Sequence, residues 1–348
     1  IMKRHSHPWK GAVMRRRGLL VGGLGLAFCA GCDGRLPTTA RIALADPVFP
    51  TRRDRIVAAD REWLCGEVEG TIEVHHWITG ENTVIFPHTL IVTGTSSKVR
   101  VVDIFRSADD MQPGLAVAFN DLSAGPNSKL DYVAIQAFNE VTRVIQINET
   151  ATFRDASAIG FILNTGGSWA RNESLSRLEG PGSRSDMLSV SIASREQEYD
   201  QRTFQHHVSP GAYSDLLYKN SLYDDSRSIF SGLIFVDKEA HHTDAYQTCR
   251  NLLMSDTCEA NSMPGLEINA DQVKCSHGST SSQVSDEEIF YLRARGIDPV
   301  NARLLIARGF SVDVVERLKN EEVESLVLRF IDEKFGVIAL AEAISDGG

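Results

Sequence analysis

From about residue 86 to residue 270 the chain is a succession of short β-rich segments with no ten-residue helical pattern between them. The segments are Thr89–Thr93, Val99–Phe105, Leu115–Phe119, Val144–Ile147, Leu188–Ile192, Ile229–Val236 and Leu266–Ala270, separated by Gly, Asn, Ser and Asp. Parallel sheets of the βαβ type need a helix in each crossover, so that architecture is not expected. What remains for so many short strands is a sandwich, a barrel or a β-helix. Alternation is strict in places: Leu188, Val190 and Ile192 point one way, Ser189 and Ser191 the other. No strict sequence repeat chooses among the three.

The last 60 or so residues change to helical patterning. Ser285-Asp-Glu-Glu288 is a capping box that opens a helix over Ile289–Arg295, which Gly296 stops. Asp298-Pro299 gives an N-cap with proline at the first helical position, and Gly309 is expected to end that second helix. Ser311 then caps a third. Val323, Leu326, Val327, Phe330 and Ile331 form an apolar stripe on a fourth. A stripe of that size on a small bundle predicts apolar surface left free for a partner.

Charge and cysteine usage narrow the function. The formal net charge is −10, so nucleic acid and anionic membranes are poor candidate partners. Six cysteines in 348 residues do not make a disulfide framework. Cys29-Ala-Gly-Cys32 is a lone CxxC without a second pair to complete a tetrahedral metal site. Reduced thiols predict a cytoplasmic protein. The N-terminus points elsewhere: Met14-Arg-Arg-Arg-Gly, an apolar stretch from Leu19 to Phe28, and small residues before Cys32 have the layout of a bacterial lipoprotein signal. That stretch is too short to span a membrane as a helix.

Few residues offer chemistry. There is no P-loop, no G-x-S-x-G elbow and no H-E-x-x-H motif in the sequence, so nucleotide hydrolysis by the chain itself is not expected. His75-His76, His206-His207 and His241-His242 are adjacent pairs; on a strand, neighbours face opposite sides, so none chelates jointly. Cys275 and His277 differ. If Val273–His277 is a strand, the two share a face with Cα atoms about 7 Å apart, close enough for a thiolate and an imidazole to address one metal or cluster. The alternative is a buried cysteine beside a hydrogen-bonded histidine, because two ligands do not fill a coordination sphere.

Longer blocks carry a resemblance. Thr243-Asp-Ala-Tyr-Gln-Thr-Cys-Arg-Asn-Leu-Leu-Met-Ser-Asp256 is followed by Pro264-Gly-Leu-Glu-Ile268, then Val273-Lys-Cys-Ser-His-Gly278, then Phe290-Tyr-Leu-Arg-Ala-Arg-Gly-Ile297. In this order and spacing they resemble the SufB/SufD family of iron–sulfur cluster assembly scaffolds, and Cys275-Ser-His-Gly278 resembles its SufD branch. Looser likeness extends upstream through His206-His207, Leu217-Tyr-Lys219 and Phe230-Ser-Gly232. The resemblance implies a mainly β fold: a right-handed parallel β-helix core with a C-terminal α-helical domain. It implies a scaffold rather than an enzyme, a SufB-type partner at the end of the β-helix, and a SufC-type ATPase on the C-terminal helices. His277 is then the candidate ligand of a nascent iron–sulfur cluster transiently shared with the partner, and Cys275 a supporting neighbour.

On that basis the chain divides into a signal-like segment (1–34), a short irregular region (35–85), a β-helix core (86–284) and a helical domain (285–348). The resemblance leads one to expect the family's long N-terminal helical region to be shortened or replaced before residue 86. A SufB-like role is the alternative within the family, disfavoured because no N-terminal multi-cysteine cluster is present. An exported, polysaccharide-active β-helix protein anchored through Cys32 is the alternative from another class.

Overall fold

The computed structural model describes residues 70–80 and 82–346, together with three short strands before them: β1 (Gly25–Ala30), β2 (Arg41–Leu44) and β3 (Leu64–Cys65). The rest of the signal-like stretch, including Cys32, lies outside the described residues. Sixteen further strands follow: β4 (Ile72–Ile78), β5 (Thr83–Ile85), β6 (His88–Thr93), β7 (Lys98–Ser107), β8 (Gly114–Ala124), β9 (Lys129–Ala137), β10 (Arg143–Thr152), β11 (Ser157–Asn164), β12 (Trp169–Leu178), β13 (Arg184–Ala193), β14 (Glu198–His207), β15 (Tyr213–Leu222), β16 (Arg227–Val236), β17 (Asp244–Leu253), β18 (Glu259–Ile268) and β19 (Lys274–Gln283). The apolar run Ile72–Ile78, from the region read as irregular, is strand β4 and pairs with β7.

From β6 onward, strands alternate between two sheets. Even-numbered strands pair in the order β18-β16-β14-β12-β10-β8-β6, and odd-numbered strands in the order β19-β17-β15-β13-β11-β9-β7, with β4 beyond β7. Every pairing is parallel, and each strand bonds to the strand two places on. The chain therefore climbs as a parallel β-solenoid of about seven turns. The corners explain why no helix is needed. Asn127, Asp155, His242 and Gln272 adopt left-handed backbone at successive corners, with Gly182 and Gly211 at equivalent places. Corner amides reach the next turn: Asn127 N donates to Arg154 O at 2.9 Å and Gly211 N to His241 O at 2.8 Å.

The interior changes along the axis. Early turns bury apolar side chains, among them Val74, Ile91, Val101, Phe105, Leu122 and Leu130. From Asn120 onward polar side chains join them, bonded between turns and across the lumen. Asn120 Nδ2 donates to Asn148 Oδ1 at 2.8 Å, Gln201 Nε2 to Ser191 Oγ at 2.9 Å, and Asn220 Nδ2 to Asn251 Oδ1 at 2.8 Å. Ser189 and Ser191 of β13 face this lumen, whereas Leu188, Val190 and Ile192 face outward and are nonetheless fully buried. A second layer covers them.

That layer is the C-terminal helices: α1 (Asp286–Arg293), α2 (Pro299–Val315), a 3₁₀ turn (Glu316–Leu318) and α3 (Glu321–Asp346). The Ser285–Glu288 capping box and the Asp298 cap with Pro299 are present as expected. Gly309 does not end a helix, and Ser311 does not cap one. Both lie inside α2, where the Ser311 hydroxyl donates to Ala307 O at 3.0 Å. A glycine in mid-helix costs about 1 kcal/mol, less than the burial of Ala307, Val314 and Val315 on the odd-numbered sheet contributes. There are thus three helices in this region rather than four.

The apolar stripe on α3 is likewise not free. Val323, Val327, Phe330 and Ile331 pack into one core with Ile135, Phe161, Leu163, Leu188, Val190 and Ile192. Two buried lysines and a half-buried arginine reinforce the docking. Lys219 Nζ donates to Asp313 Oδ1 at 2.6 Å, and Arg317 bridges Asp186 and Asp215 at 3.1 and 2.8 Å. Lys334 Nζ donates to Gln197 Oε1 at 2.8 Å. Burial holds the Lys334 amine below the usual lysine range, against the opposing pull of Glu140. Helices and solenoid are one packed body across this face.

Phe330, beneath the Arg106 guanidinium at 4.4 Å from its ring centre, is a buried member of the shared core. Phe330→Ala should therefore cost about 3–5 kcal/mol, read as a shift of the urea midpoint in a single transition for helices and solenoid together. A second expectation concerns His207, which is fully buried in the lumen with Nε2 at 2.8 Å from Ser214 Oγ. Burial first, and the neighbouring His206 second, push its pKa down to about 4. The unfolded chain takes up this proton near pH 6.5 and the folded chain does not, so stability falls as pH drops from about 6.5 to about 4. The loss amounts to about 3 kcal/mol. The difference between wild type and His207→Gln in urea denaturation should open across that window and stay constant above it.

Candidate functional site

In a solenoid each turn covers the inward side chains and the unpaired backbone edge of the turn before it. At the C-terminal end this covering stops. Among the described residues β18 pairs with β16 alone and β19 with β17 alone, so two adjacent ten-residue strands present their other edges unpaired. Inward positions that would be buried one turn earlier are open here. The ladder places Cys275 on Ala245, His277 on Gln247, Ser279 on Cys249 and Ser281 on Asn251. Ala245, Gln247, Cys249 and Asn251 are buried, whereas His277, Ser279 and Ser281 are exposed. On β18 the side chains of Met263 and Ile268 are also exposed, at 58% and 40%.

Cys275 and His277 stand two apart on one strand, both at inward register positions, as the spacing predicts. Their surroundings differ. Cys275 is half-buried against the cluster of Ile234, Val236, Ala240 and Ala245, on which Leu266 and Val273 also pack. Burial, then the nearby Asp244 carboxylate, push its thiol above the usual range, opposed by a backbone hydrogen bond at Ala245. It is a poor thiolate at neutral pH. His277 lies further along the open edge, with no hydrogen-bond or ionic partner among the described residues. An imidazole ligates in its neutral form and does not need such activation.

The other cysteines with described surroundings are structural. Cys249 is buried in the lumen, its thiol pushed up to about 11 by burial. Cys258 is buried at a corner, its Sγ donating to Ser255 O at 3.3 Å. The adjacent histidines part as strand geometry requires. His75 lies outside near Glu73 while His76 is buried beside Asp103, and His206 lies outside at 3.0 Å from Asp237 while His207 is in the lumen. His242 sits at a corner in left-handed backbone. Among the described residues no three His, Cys, Asp or Glu side chains come together as a metal site. A metal at Cys275 and His277 therefore needs ligands beyond these residues. One residue that pattern reading missed is Gln247. Its significance rests on register with His277, and register is not written in local sequence.

No helix among the described residues is long and apolar enough to cross a membrane. Comparison with known proteins matches residues 76–310 to the core domain described as "SUF system FeS cluster assembly, SufBD core domain". The chain is 31% identical to the iron–sulfur cluster assembly protein SufD of Escherichia coli over 259 residues, covering 74% of this chain and 61% of that protein. It is 26% identical to SufD of Bacillus subtilis over 272 residues, covering 77% and 62%. A SufBD family protein of Mycobacterium leprae is 29% identical over 192 residues, covering 53% and 49%. The chain thus spans about half to three fifths of the length of these curated relatives. Matched over most of its solenoid and into its helices, the chain belongs to the SufBD family of iron–sulfur cluster assembly proteins.

Proposed function

We propose that this chain is a non-enzymatic, SufD-type scaffold subunit that closes its open last turn on a SufB-type partner and holds a nascent iron–sulfur cluster at the junction. The observation that carries the reading is the uncovered inward face of β19, which presents His277 beside two unpaired strand edges. Edges of this length invite strand addition from another chain. A partner turn seated there would bury Met263 and Ile268, satisfy the edge amides and bring its own ligands to His277. The cluster is cargo, shared between two chains because this one supplies too few ligands to hold it alone. Cys275, held as a thiol in an apolar setting, supports the strand and contributes a secondary donor. Cluster assembly on reduced thiols fits a cytoplasmic location.

An ATPase of SufC type would supply the energy, docking on the helices. The stripe on α3 is committed to the solenoid, so the docking surface lies elsewhere on this layer. α1 has no buried residue, and Phe290 and Tyr291 on it are 73% and 56% exposed, with Leu305 of α2 nearby in chain order at 49%. Large exposed side chains on a capped helix at the margin of the bundle fit a partner contact.

Two experiments test these assignments. His277→Ala in the co-expressed complex should abolish cluster formation while the chains still co-purify, and Cys275→Ala should lower cluster yield only in part. Normal maturation of client proteins by the His277 variant in a complementation assay would remove His277 from the ligand set. Separately, Phe290→Asp with Tyr291→Asp should release the ATPase in a pull-down and leave the partner scaffold bound. Full ATPase retention would move the docking surface off α1.

A further inference from the structure

Gln247 is one turn behind His277 and directly in register with it, both at inward positions of the β17–β19 ladder. Neighbouring strands lie about 4.8 Å apart, so the two side chains leave the backbone side by side. The Gln247 side chain is 1% exposed, and neither its Oε1 nor its Nε2 has a hydrogen-bond partner among the described residues. Other lumen glutamines do better: Gln136 and Gln197 each bond through both carboxamide atoms, and Gln201 and Gln205 through one. Room for the carboxamide is made by Gly232 of β16. A Cβ there would come 2.4 Å from Gln247 Oε1 and 2.6 Å from Thr203 Oγ1. The site is thus built to admit a polar side chain whose own bonding is left unfinished. A buried group in that state costs about 1–3 kcal/mol unless something completes it.

The open ladder position in front of it is His277, which itself has no partner. In this structure the carboxamide is turned across the lumen against Gly232 and makes no bond to His277. We propose that rotation of this side chain toward the open edge makes Gln247 a positioning residue for His277: its Oε1 then accepts from His277 Nδ1–H, fixing the tautomer that leaves Nε2 free at the open edge for iron. The choice of nitrogen follows from covalent geometry, since Nδ1 is nearer the backbone and so nearer the ladder neighbour. It also follows a general rule of histidine ligation: the ring nitrogen away from the metal donates to a carbonyl or carboxylate, which fixes ring orientation and raises the basicity of the ligating nitrogen. This inference rests on the proposed role of His277 as ligand.

The test uses ¹⁵N-histidine-labelled full-length chain, with the His277 signals assigned by their absence in His277→Ala. At a pH where imidazole is neutral, wild type should show His277 protonated at Nδ1. Gln247→Leu should shift it toward the Nε2–H form that predominates in water. In the reconstituted complex the same variant should lose cluster to a chelator about 10–100-fold faster. Should the leucine variant fail to fold, Gln247→Asn keeps the amide but shortens its reach by one methylene, and should move the tautomer the same way. Gln247→Glu, which keeps an acceptor at full length, should retain the wild-type tautomer. A wild-type His277 in the Nε2–H form, or a tautomer indifferent to both Leu and Asn, overturns the inference. These outcomes separate from the fate of the function proposed above. If His277→Ala builds clusters normally, that function falls whatever the tautomer does. If His277→Ala is inactive and the tautomer ignores Gln247, only the positioning role falls.

Discussion

The parallel ladder between successive turns is the interaction on which everything else depends. Each strand of the solenoid satisfies its backbone groups with the strand two places earlier and the strand two places later, so every turn is completed by its successor. Inward side chains obey the same dependence. Asn220 bonds Asn251, and Asn251 Nδ2 in turn reaches Ser262 Oγ and Ser281 Oγ on the last turn at 3.3 and 3.2 Å. A structure made this way has a defined unmet requirement wherever it stops. At β18 and β19 it stops with His277 on the inward face, and the functional reading follows from that geometry.

The helical layer meets a different requirement. Outward residues of β11 and β13 are apolar and would otherwise face water, and α2 and α3 cover them while leaving the last turn clear. Lys219 of β15, which reaches Asp313, and Arg317 and Lys334 of the helical layer, which reach Asp215 and Gln197, join the helices to the solenoid, and Arg303 of α2 adds a bond from Nη1 to Met254 O at 3.1 Å.

Much of this was legible in the residues. Short strands without intervening helices pointed to an all-β core, and the Ser285 and Asp298 caps located helix starts. The seven segments read from apolar content all fall on strands or their borders. Strands such as β12, β14 and β17 escaped because their inward faces carry Asn172, Ser174, Gln201, Thr203, Gln205, Gln247 and Asn251. A polar lumen abolishes the inward-apolar, outward-polar alternation by which half-buried strands are recognised. Gly309 and Ser311 misled for a related reason: local termination signals are weak against tertiary burial, and α2 has the odd-numbered sheet to pack on. The stripe on α3 was visible as a stripe, but what covers it depends on strands more than a hundred residues away. Cys275 and His277 were singled out by their spacing and became candidate ligands through the family resemblance, whereas Gln247 required the register between β17 and β19.

The central claim is that the last turn is open in this chain and closed by a partner. Backbone amide exchange of β18 and β19, followed in the isolated chain and after addition of a SufB-type partner, measures this directly. The outward-edge amides of these strands should exchange fast in the isolated chain, in contrast to the doubly paired amides of β14 and β15. Partner binding should slow them by orders of magnitude while leaving α3 unchanged. If β18 and β19 exchange at the same rate with and without a partner that is demonstrably bound, the open turn is not the junction and the account of His277 fails with it.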